Sequence, residues 1–129
     1  MASYFGTGTA NKIISLTLNG GTFTPITKGY LALYSSNPTG NNTGIELSGG
    51  SYARQEITIG TPSGGATSNS TRIIFMGLPA GSVTHWGILS AVTGGDLLYY
   101  GNLDVGYTLT TGDEIKLEIG ALTIQLQIG

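Results

Sequence analysis

VTHWGILSAVTGGDLLYYGNL, residues 83–103, is the clearest β-hairpin pattern in the chain. Two apolar runs, Val83 to Val92 and Leu97 to Leu103, lie on either side of Thr-Gly-Gly-Asp. A Gly-Gly pair between apolar runs is typical of a tight turn, because glycine readily adopts the positive φ angles that two-residue hairpin turns require. The pattern predicts two antiparallel strands joined at Gly94 and Gly95.

This hairpin contains the only histidine and the only tryptophan of the chain, His85 and Trp86. A two-residue turn at the glycines would set His85 opposite Asp104 and Trp86 opposite Leu103. Catalysis by the histidine would need a nucleophile and an orienting acid. The serines of the chain lack the Gly-x-Ser-x-Gly context of a nucleophile elbow. We therefore interpret His85 and Trp86 as packing residues, with Asp104 as the candidate partner of His85.

Segments upstream of the hairpin also have strand patterns. Residues 30–35 form an apolar run that ends in the turn sequence SSNPTGNNTG, and residues 71–78 form another that stops at Pro79. Between residues 61 and 70, TPSGGATSNS has the composition of a polar loop. Strands and turns at this spacing are typical of an all-β sandwich or barrel.

SYARQEITIG, residues 51–60, alternates as a half-buried strand does. The alternation predicts an apolar face with Ala53, Ile57 and Ile59 and a polar face with Arg54, Glu56 and Thr58. An arginine on the polar face of so weakly charged a protein is expected to form a specific ion pair or to anchor an interface.

The C-terminal segment DEIKLEIGALTIQLQIG alternates twice, and the phase of the alternation changes at Gly120 and Ala121. A type II′ hairpin turn there would pair residue 117 with residue 124 and residue 119 with residue 122. A β-bulge within one long strand would change the phase equally well. Both alternatives predict β structure with one buried face.

The N-terminal stretch has a mixed pattern. Thr9 is a candidate helix cap and Gly20 or Gly21 a candidate stop, which favours a short helix over residues 9–18. Ile14, Leu16 and Leu18 alternate as in a strand as well. We expect an arm or short helix over residues 1–27 and one β domain over residues 28–129. The predicted fold class is a single-domain, all-β antiparallel sandwich or jelly-roll-like barrel with at most one short N-terminal helix.

Composition narrows the classes of function. The chain has 129 residues, of which 5 are basic and 7 acidic, so its net charge of −2 offers no positive field for nucleic acid. Without cysteine and with one histidine, neither a disulfide framework nor a typical metal site is expected.

No run approaches the ~20 apolar residues of a membrane span. The N-terminus lacks a secretory leader, so we expect synthesis in a cytoplasm. No enzyme and no cofactor are expected.

Tyr99 and Tyr100 are consecutive in a predicted strand and must face opposite ways. One ring is expected to serve the core and the other an interface, where tyrosine is enriched. So few charged residues also protect a monomer poorly against association. We expect much of the surface to be covered by partners.

Four motifs in this order resemble a family of small phage virion proteins that genomes often label tail fibre proteins. They are a Gly-Gly-x-Tyr-x-Arg strand, Val-Thr-His-Trp-Gly-Ile, a Thr-Gly-Gly turn and a Gly-Asp before the last β segment. The resemblance covers about residues 28 to 128. The matching residues are Tyr52, Arg54, Thr84, His85, Trp86, Gly87, Gly94, Gly95, Gly112 and Asp113.

The resemblance implies a non-enzymatic component of the virion. Some similar proteins act as capsid decoration, or cement, proteins, which bind the outside of the head as homotrimers and tie major capsid proteins together, and this is the function we expect. As the alternative, the genome label implies a tail-fibre or receptor-binding component, in contact with tail proteins. That role would use exposed loop tips, for which SNPTGNNTG and TPSGGATSNS are the candidates.

Overall fold

A computed structural model describes residues 3–126 as antiparallel β structure with one helix. In chain order the elements are β1 (Tyr4–Phe5), α1 (Thr7–Leu18), β2 (Gly29–Tyr34), β3 (Gln55–Ile57), β4 (Ala66–Ser68), β5 (Ile73–Leu78), β6 (Gly81–Leu89), β7 (Leu97–Leu109), β8 (Asp113–Leu117) and β9 (Thr123–Gln125).

A central sheet of five strands runs in the order β1-β7-β6-β2-β3. Its strand β2 is apolar on both faces, since Leu31 and Leu33 pack into the main core while Ala32 and Tyr34 pack into a second cluster on the other side. Side chains alternate between the two faces of a strand. The unbroken apolar run at residues 30–35 thus reflects a strand covered on both sides.

Two small sheets, β5-β8 and β4-β9, contribute the other half of the main core. Phe75, Ile115 and Leu122 belong to the same buried cluster as Trp86. On the opposite face of the central sheet, helix α1 packs against β7. This arrangement confirms the prediction of an all-β antiparallel fold with one short N-terminal helix.

The helix begins after Gly6 rather than at a threonine cap. Thr9 lies inside the first turns and is buried, with its Oγ1 3.4 Å from the carbonyl oxygen of Leu97. At the other end, the N–H of Gly21 donates to the carbonyl of Ser15 at 2.9 Å, and Gly20 has φ +64°. With a glycine in the left-handed region, the N–H groups that follow can bond to the last carbonyls of the helix. The helix therefore ends at the predicted glycines.

The β6–β7 hairpin is present, but its predicted register is wrong. His85 lies opposite Asn102 and Trp86 opposite Gly101, so the two strands are offset by two residues. The loop is longer than two glycines: the N–H of Ser90 donates to the carbonyl of Asp96 at 3.0 Å, and the Ser90 hydroxyl accepts from the Asp96 N–H at 2.9 Å. Because this loop spans residues 90–96 and is not centred on Gly94 and Gly95, the predicted cross-strand pair of His85 with Asp104 does not form.

The C-terminal segment forms neither of the two predicted arrangements. Strand β8 pairs with β5, and strand β9 pairs with β4, so the two halves belong to different sheets. The N–H of Ala121 donates to the Glu118 carbonyl at 3.0 Å, and Gly120 has φ +85°, the positive value a type II turn requires at its third residue. Ile119, predicted to be buried, is 69% exposed.

Two predictions about residues 51–70 are also wrong. Only Gln55–Ile57 is a strand in the first half, so the predicted alternation does not extend to its ends, and Ala53 and Ile59 are exposed. The Arg54 side chain is 9% exposed and therefore does not lie on a polar outer face. The predicted polar loop contains strand β4, which gains its partner β9 from the far end of the chain.

Candidate functional site

Two groups of polar side chains border strand β2, and together they account for most of the residues singled out from the sequence. The Glu46 cluster consists of Glu46, Tyr52 and Arg54. The Tyr4 depression is an open cavity of about 230 Å³ lined by Tyr4, Asn37, His85, Tyr100, Gly101 and Asn102.

Arg54 and Glu46 form a two-point ion pair at the centre of the Glu46 cluster. The arginine donates from Nε to Oε2 at 2.9 Å and from Nη2 to Oε1 at 2.8 Å. Both side chains are largely withdrawn from solvent, at 9% and 26% exposure. The fork of an arginine matches the two oxygens of a carboxylate, which makes this geometry both strong and specific.

The remaining donors of Arg54 hold the β6–β7 loop. Its Nη1 donates to the carbonyl oxygens of Ala91 at 2.9 Å and Gly94 at 2.8 Å. Four of the five N–H donors of the guanidinium are therefore used. These bonds hold the β6–β7 loop against the Glu46 cluster.

Tyr52 connects the cluster to the central sheet. Its hydroxyl donates to Oε2 of Glu46 at 2.6 Å and accepts from the N–H of Leu33 at 3.1 Å. Its ring stacks on Phe75 with centroids 6.1 Å apart and planes at 5°. The Gly-Gly-x-Tyr-x-Arg motif thus ties a loop, a hairpin and the core together.

The charges of this cluster shift the pKa values of its members. Burial alone would raise the pKa of Glu46, but hydrogen bonds from Arg54 and Tyr52, with the arginine charge, together lower it below its ordinary value. Burial, followed by the hydrogen bond to Glu46, raises the pKa of Tyr52. The carboxylate is ionised and fully engaged, which suits a structural role better than proton transfer.

The Tyr4 depression is built from side chains that share one face of the central sheet. Directly opposite residues of antiparallel strands point to the same side. Tyr34, His85 and Asn102 therefore form one row across β2, β6 and β7. Tyr4 and Tyr100 are also paired, and their rings lie 5.4 Å apart at 31°.

Gly87 makes room for this face of the sheet. A Cβ atom at this position would lie 2.9 Å from Tyr34 Cε1 and 3.0 Å from Leu97 Cδ1, closer than packed side chains allow. The Tyr34 ring lies close against the backbone there, and its hydroxyl donates to Asn42 Oδ1 at 2.7 Å. Burial, followed by the charge of Glu46, raises the pKa of Tyr34 to about 12.

His85 is held by its neighbour in sequence. Thr84 Oγ1 is hydrogen-bonded to His85 Nδ1 at 2.8 Å and lies 3.2 Å from the Ser35 carbonyl oxygen, to which it can donate. Burial lowers the pKa of His85. The imidazole is thus neutral near pH 7, and its Nε2 makes no hydrogen bond within residues 3–126.

Trp86 points to the opposite side, into the main core, and is 1% exposed. It borders a void of about 10 Å³ in the apolar core. Its Nε1–H finds no hydrogen-bond partner within residues 3–126. The two adjacent residues therefore occupy different environments, one in the apolar core and one at an open polar surface.

Tyr99 and Tyr100 face opposite sides as consecutive strand residues do. Tyr99 packs on the main core and against Phe5, at a ring distance of 5.3 Å, and burial raises its pKa. Tyr100 packs on the second cluster and lines the depression.

Asp104 lies where the register of β7 shifts against β6.

Sequence reasoning missed several members of both groups. Glu46 lies six residues before Tyr52 in a stretch without strand or helix pattern, and Asn37 and Asn102 are ordinary polar residues of a turn and a strand. Tyr4 lies far from the rest of the depression in the chain. No local signal identifies them, because each is brought into place by strand pairing.

Residues 3–126 contain no group of three His, Cys, Asp or Glu side chains able to hold a metal ion. Within the same residues, no helix has the length and apolar character to cross a membrane.

One family model matches the sequence. It is described as podophage GP4 fiber I protein gp80, and the match spans residues 5–125. The matched region includes the whole Glu46 cluster and every residue of the Tyr4 depression except Tyr4. No curated protein matches the chain significantly.

Proposed function

Because the chain belongs to the podophage GP4 fiber I protein gp80 family, and is thus a phage structural protein, we propose that it is a fibre subunit of the phage tail. The family match over residues 5–125 is the observation that carries the proposal. Capsid decoration, with binding to the major capsid protein, is the function expected from the sequence motifs, and the tail role is its alternative. The fibre description favours the tail role over it.

The surface of the subunit is suited to contacts with other chains. Ile14 and Leu18 on the helix are 56% and 82% exposed, and Val105 on β7 is 79% exposed. Fully burying an exposed side chain of this size contributes about 1.5–3 kcal/mol, and each of these side chains would gain the part that corresponds to its exposed fraction. We extend the proposal to a homotrimer that buries part of this surface, with tail proteins as further partners.

The proposal includes no catalytic step, no cofactor and no nucleic-acid contact. The carboxylate of Glu46 is saturated by Arg54 and Tyr52. His85 is held by a threonine hydroxyl and lies opposite an asparagine rather than a carboxylate. These contacts support the proposal that the motif residues stabilise the fold and bind other molecules, and that the protein acts by association alone.

The proposal is tested by locating the protein in purified virions. Gold-labelled antibodies raised against the full chain are expected at the tail, and the free protein is expected to have three chain masses in light scattering. Label distributed over the whole head would overturn the tail role in favour of capsid decoration. A monomeric mass at micromolar concentration would overturn the trimer.

A further inference from the structure

Among the described residues 3–126, none that lines the Tyr4 depression carries a formal charge near pH 7. Its lining consists of two tyrosines, two asparagines, a glycine and His85, which is neutral near pH 7 because burial lowers its pKa. A charged ligand entering this cavity would lose hydration without gaining an opposite charge. The lining therefore favours a neutral ligand.

The polar groups of the depression include both donors and acceptors. Asn37 Oδ1 accepts from the Thr39 N–H at 2.9 Å, which leaves its two amide hydrogens available within the described structure. Asn102 Nδ2 makes only a long 3.5 Å contact with the Leu103 carbonyl. Together with Nε2 of His85, these groups can bind a ligand whose own groups both donate and accept, as hydroxyls do.

An aromatic surface lies beside these polar groups. The Tyr4 ring is 54% exposed and lies against Tyr100 at 5.4 Å. An exposed ring provides an apolar face with a polar hydroxyl at its edge. A ligand with an apolar C–H face and hydroxyl groups around its edge would stack on the Tyr4 ring and bond to the asparagine amides.

The size of the cavity limits the ligand further. Its volume of about 230 Å³ lies below the ~300–1,000 Å³ of sites for drug-sized ligands. The opening suits one ring of a larger molecule whose remainder stays in solvent. We propose that the Tyr4 depression binds a neutral saccharide residue, stacked on Tyr4 and hydrogen-bonded by Asn37, His85 and Asn102.

The proposal rests on the fibre role only for its biological meaning, which would be contact with sugars of a host surface. Binding is measured on the isolated full chain, so a virion location other than the tail would leave a positive saccharide result standing. A negative saccharide result would likewise leave the tail location standing.

The test is a titration followed by ¹H–¹⁵N NMR, including the side-chain amides of asparagine. Probes are glucose, galactose, rhamnose and N-acetylglucosamine, each to about 50 mM, far above a Kd of ~1 mM. Inorganic phosphate and acetate serve as charged comparators. At least one neutral sugar is expected to give saturable shifts at Asn102 and Tyr100, and phosphate and acetate are expected to give none there.

Two variants separate the site from unspecific contact. Tyr4→Ala and Asn102→Ala are each expected to weaken binding tenfold or more. Asn41→Ala, on the same loop as Asn37 but outside the depression, is expected to bind as the natural chain does. Shifts that persist unchanged in both site variants, tighter binding of phosphate, or no saturable shift with any of the four sugars would each overturn the proposal.

Discussion

The Glu46 cluster and the Tyr4 depression border the same strand but use polar side chains in opposite ways. In the Glu46 cluster, four guanidinium donors, both carboxylate oxygens and a tyrosine hydroxyl bind one another or the backbone. In the depression, His85 Nε2 and the Asn37 amide hydrogens make no hydrogen bond within residues 3–126. Polar groups that satisfy one another stabilise a fold, whereas groups left open at a surface are available to a ligand.

The largest expected effect comes from opening the closed cluster. Arg54→Met keeps the apolar stem but leaves Glu46 with the Tyr52 hydroxyl as its remaining donor and takes the donor away from two backbone carbonyls. Removing one partner of a buried ion pair costs about 3–5 kcal/mol, and the partial exposure of Glu46 favours the lower end. The free energy of unfolding in urea measures this loss.

Arg72 provides a matched control for Arg54. Its pair with Glu118 is 3.8 Å long, with side chains 52% and 69% exposed. Exposed pairs contribute ~0–1 kcal/mol, so Arg72→Met should have little effect. Equal losses in the two variants would contradict the assignment of the Glu46 cluster as a structural tie.

The second effect concerns the single hydroxyl of Tyr52. Tyr52→Phe keeps the ring stacked on Phe75 but removes one donor from Glu46 and one acceptor from the Leu33 N–H. Leaving buried polar partners unsatisfied costs about 1–3 kcal/mol. Chemical denaturation should show this loss for Tyr52→Phe and almost none for Tyr107→Phe, whose residue is 37% exposed. If Tyr52→Phe left the free energy of unfolding unchanged, the hydroxyl would not stabilise the fold, because water would bond to Glu46 and the Leu33 N–H in its place.

The third effect is acid sensitivity of the Glu46 cluster. The folded-state pKa of Glu46 lies below its ordinary value of 4.5, so the unfolded chain binds more protons as the pH falls. Stability from this group is present above about pH 4.5 and is lost as the pH falls through the folded-state pKa. Urea midpoints from pH 6 downwards should therefore decline less steeply in Glu46→Gln than in the natural chain, although the variant starts from lower stability.

The same contrast explains what the sequence could predict. Alternation and glycine turns identified the β class, strands β2, β5, β6 and β7, and the inward position of Trp86, because these depend on local periodicity. Periodicity does not specify which strand lies beside which. The halves of the C-terminal segment alternate as a hairpin would, yet they pair with β5 and β4.

Register and site residues depended on contacts distant in sequence. The predicted hairpin register is wrong by two residues because the loop spans residues 90–96 and is not centred on the two glycines, and the loop is bonded by Arg54, about 40 residues away. Arg54 was placed on a polar face because alternation was extended beyond the three residues of β3. Tyr4 and Asn37 line the depression only because the folded chain brings β1 and the loop after β2 close to β7.

The smallest expected effect on stability lies in the open depression. His85→Ala removes one hydrogen bond, to Thr84 at 2.8 Å, and such bonds contribute about 0.5–1.5 kcal/mol. Because burial lowers the pKa of His85, its contribution is present above the ordinary value of 6.5 and declines as the pH falls through the folded-state value. When the pH is lowered from neutral to mildly acidic, the free energy of unfolding should therefore fall slightly less in His85→Ala than in the natural chain. Its saccharide response, in contrast, should fall as in Asn102→Ala. A loss of stability as large as that of Arg54→Met would erase the distinction between the closed cluster and the open depression, because it would make His85 part of the structural framework.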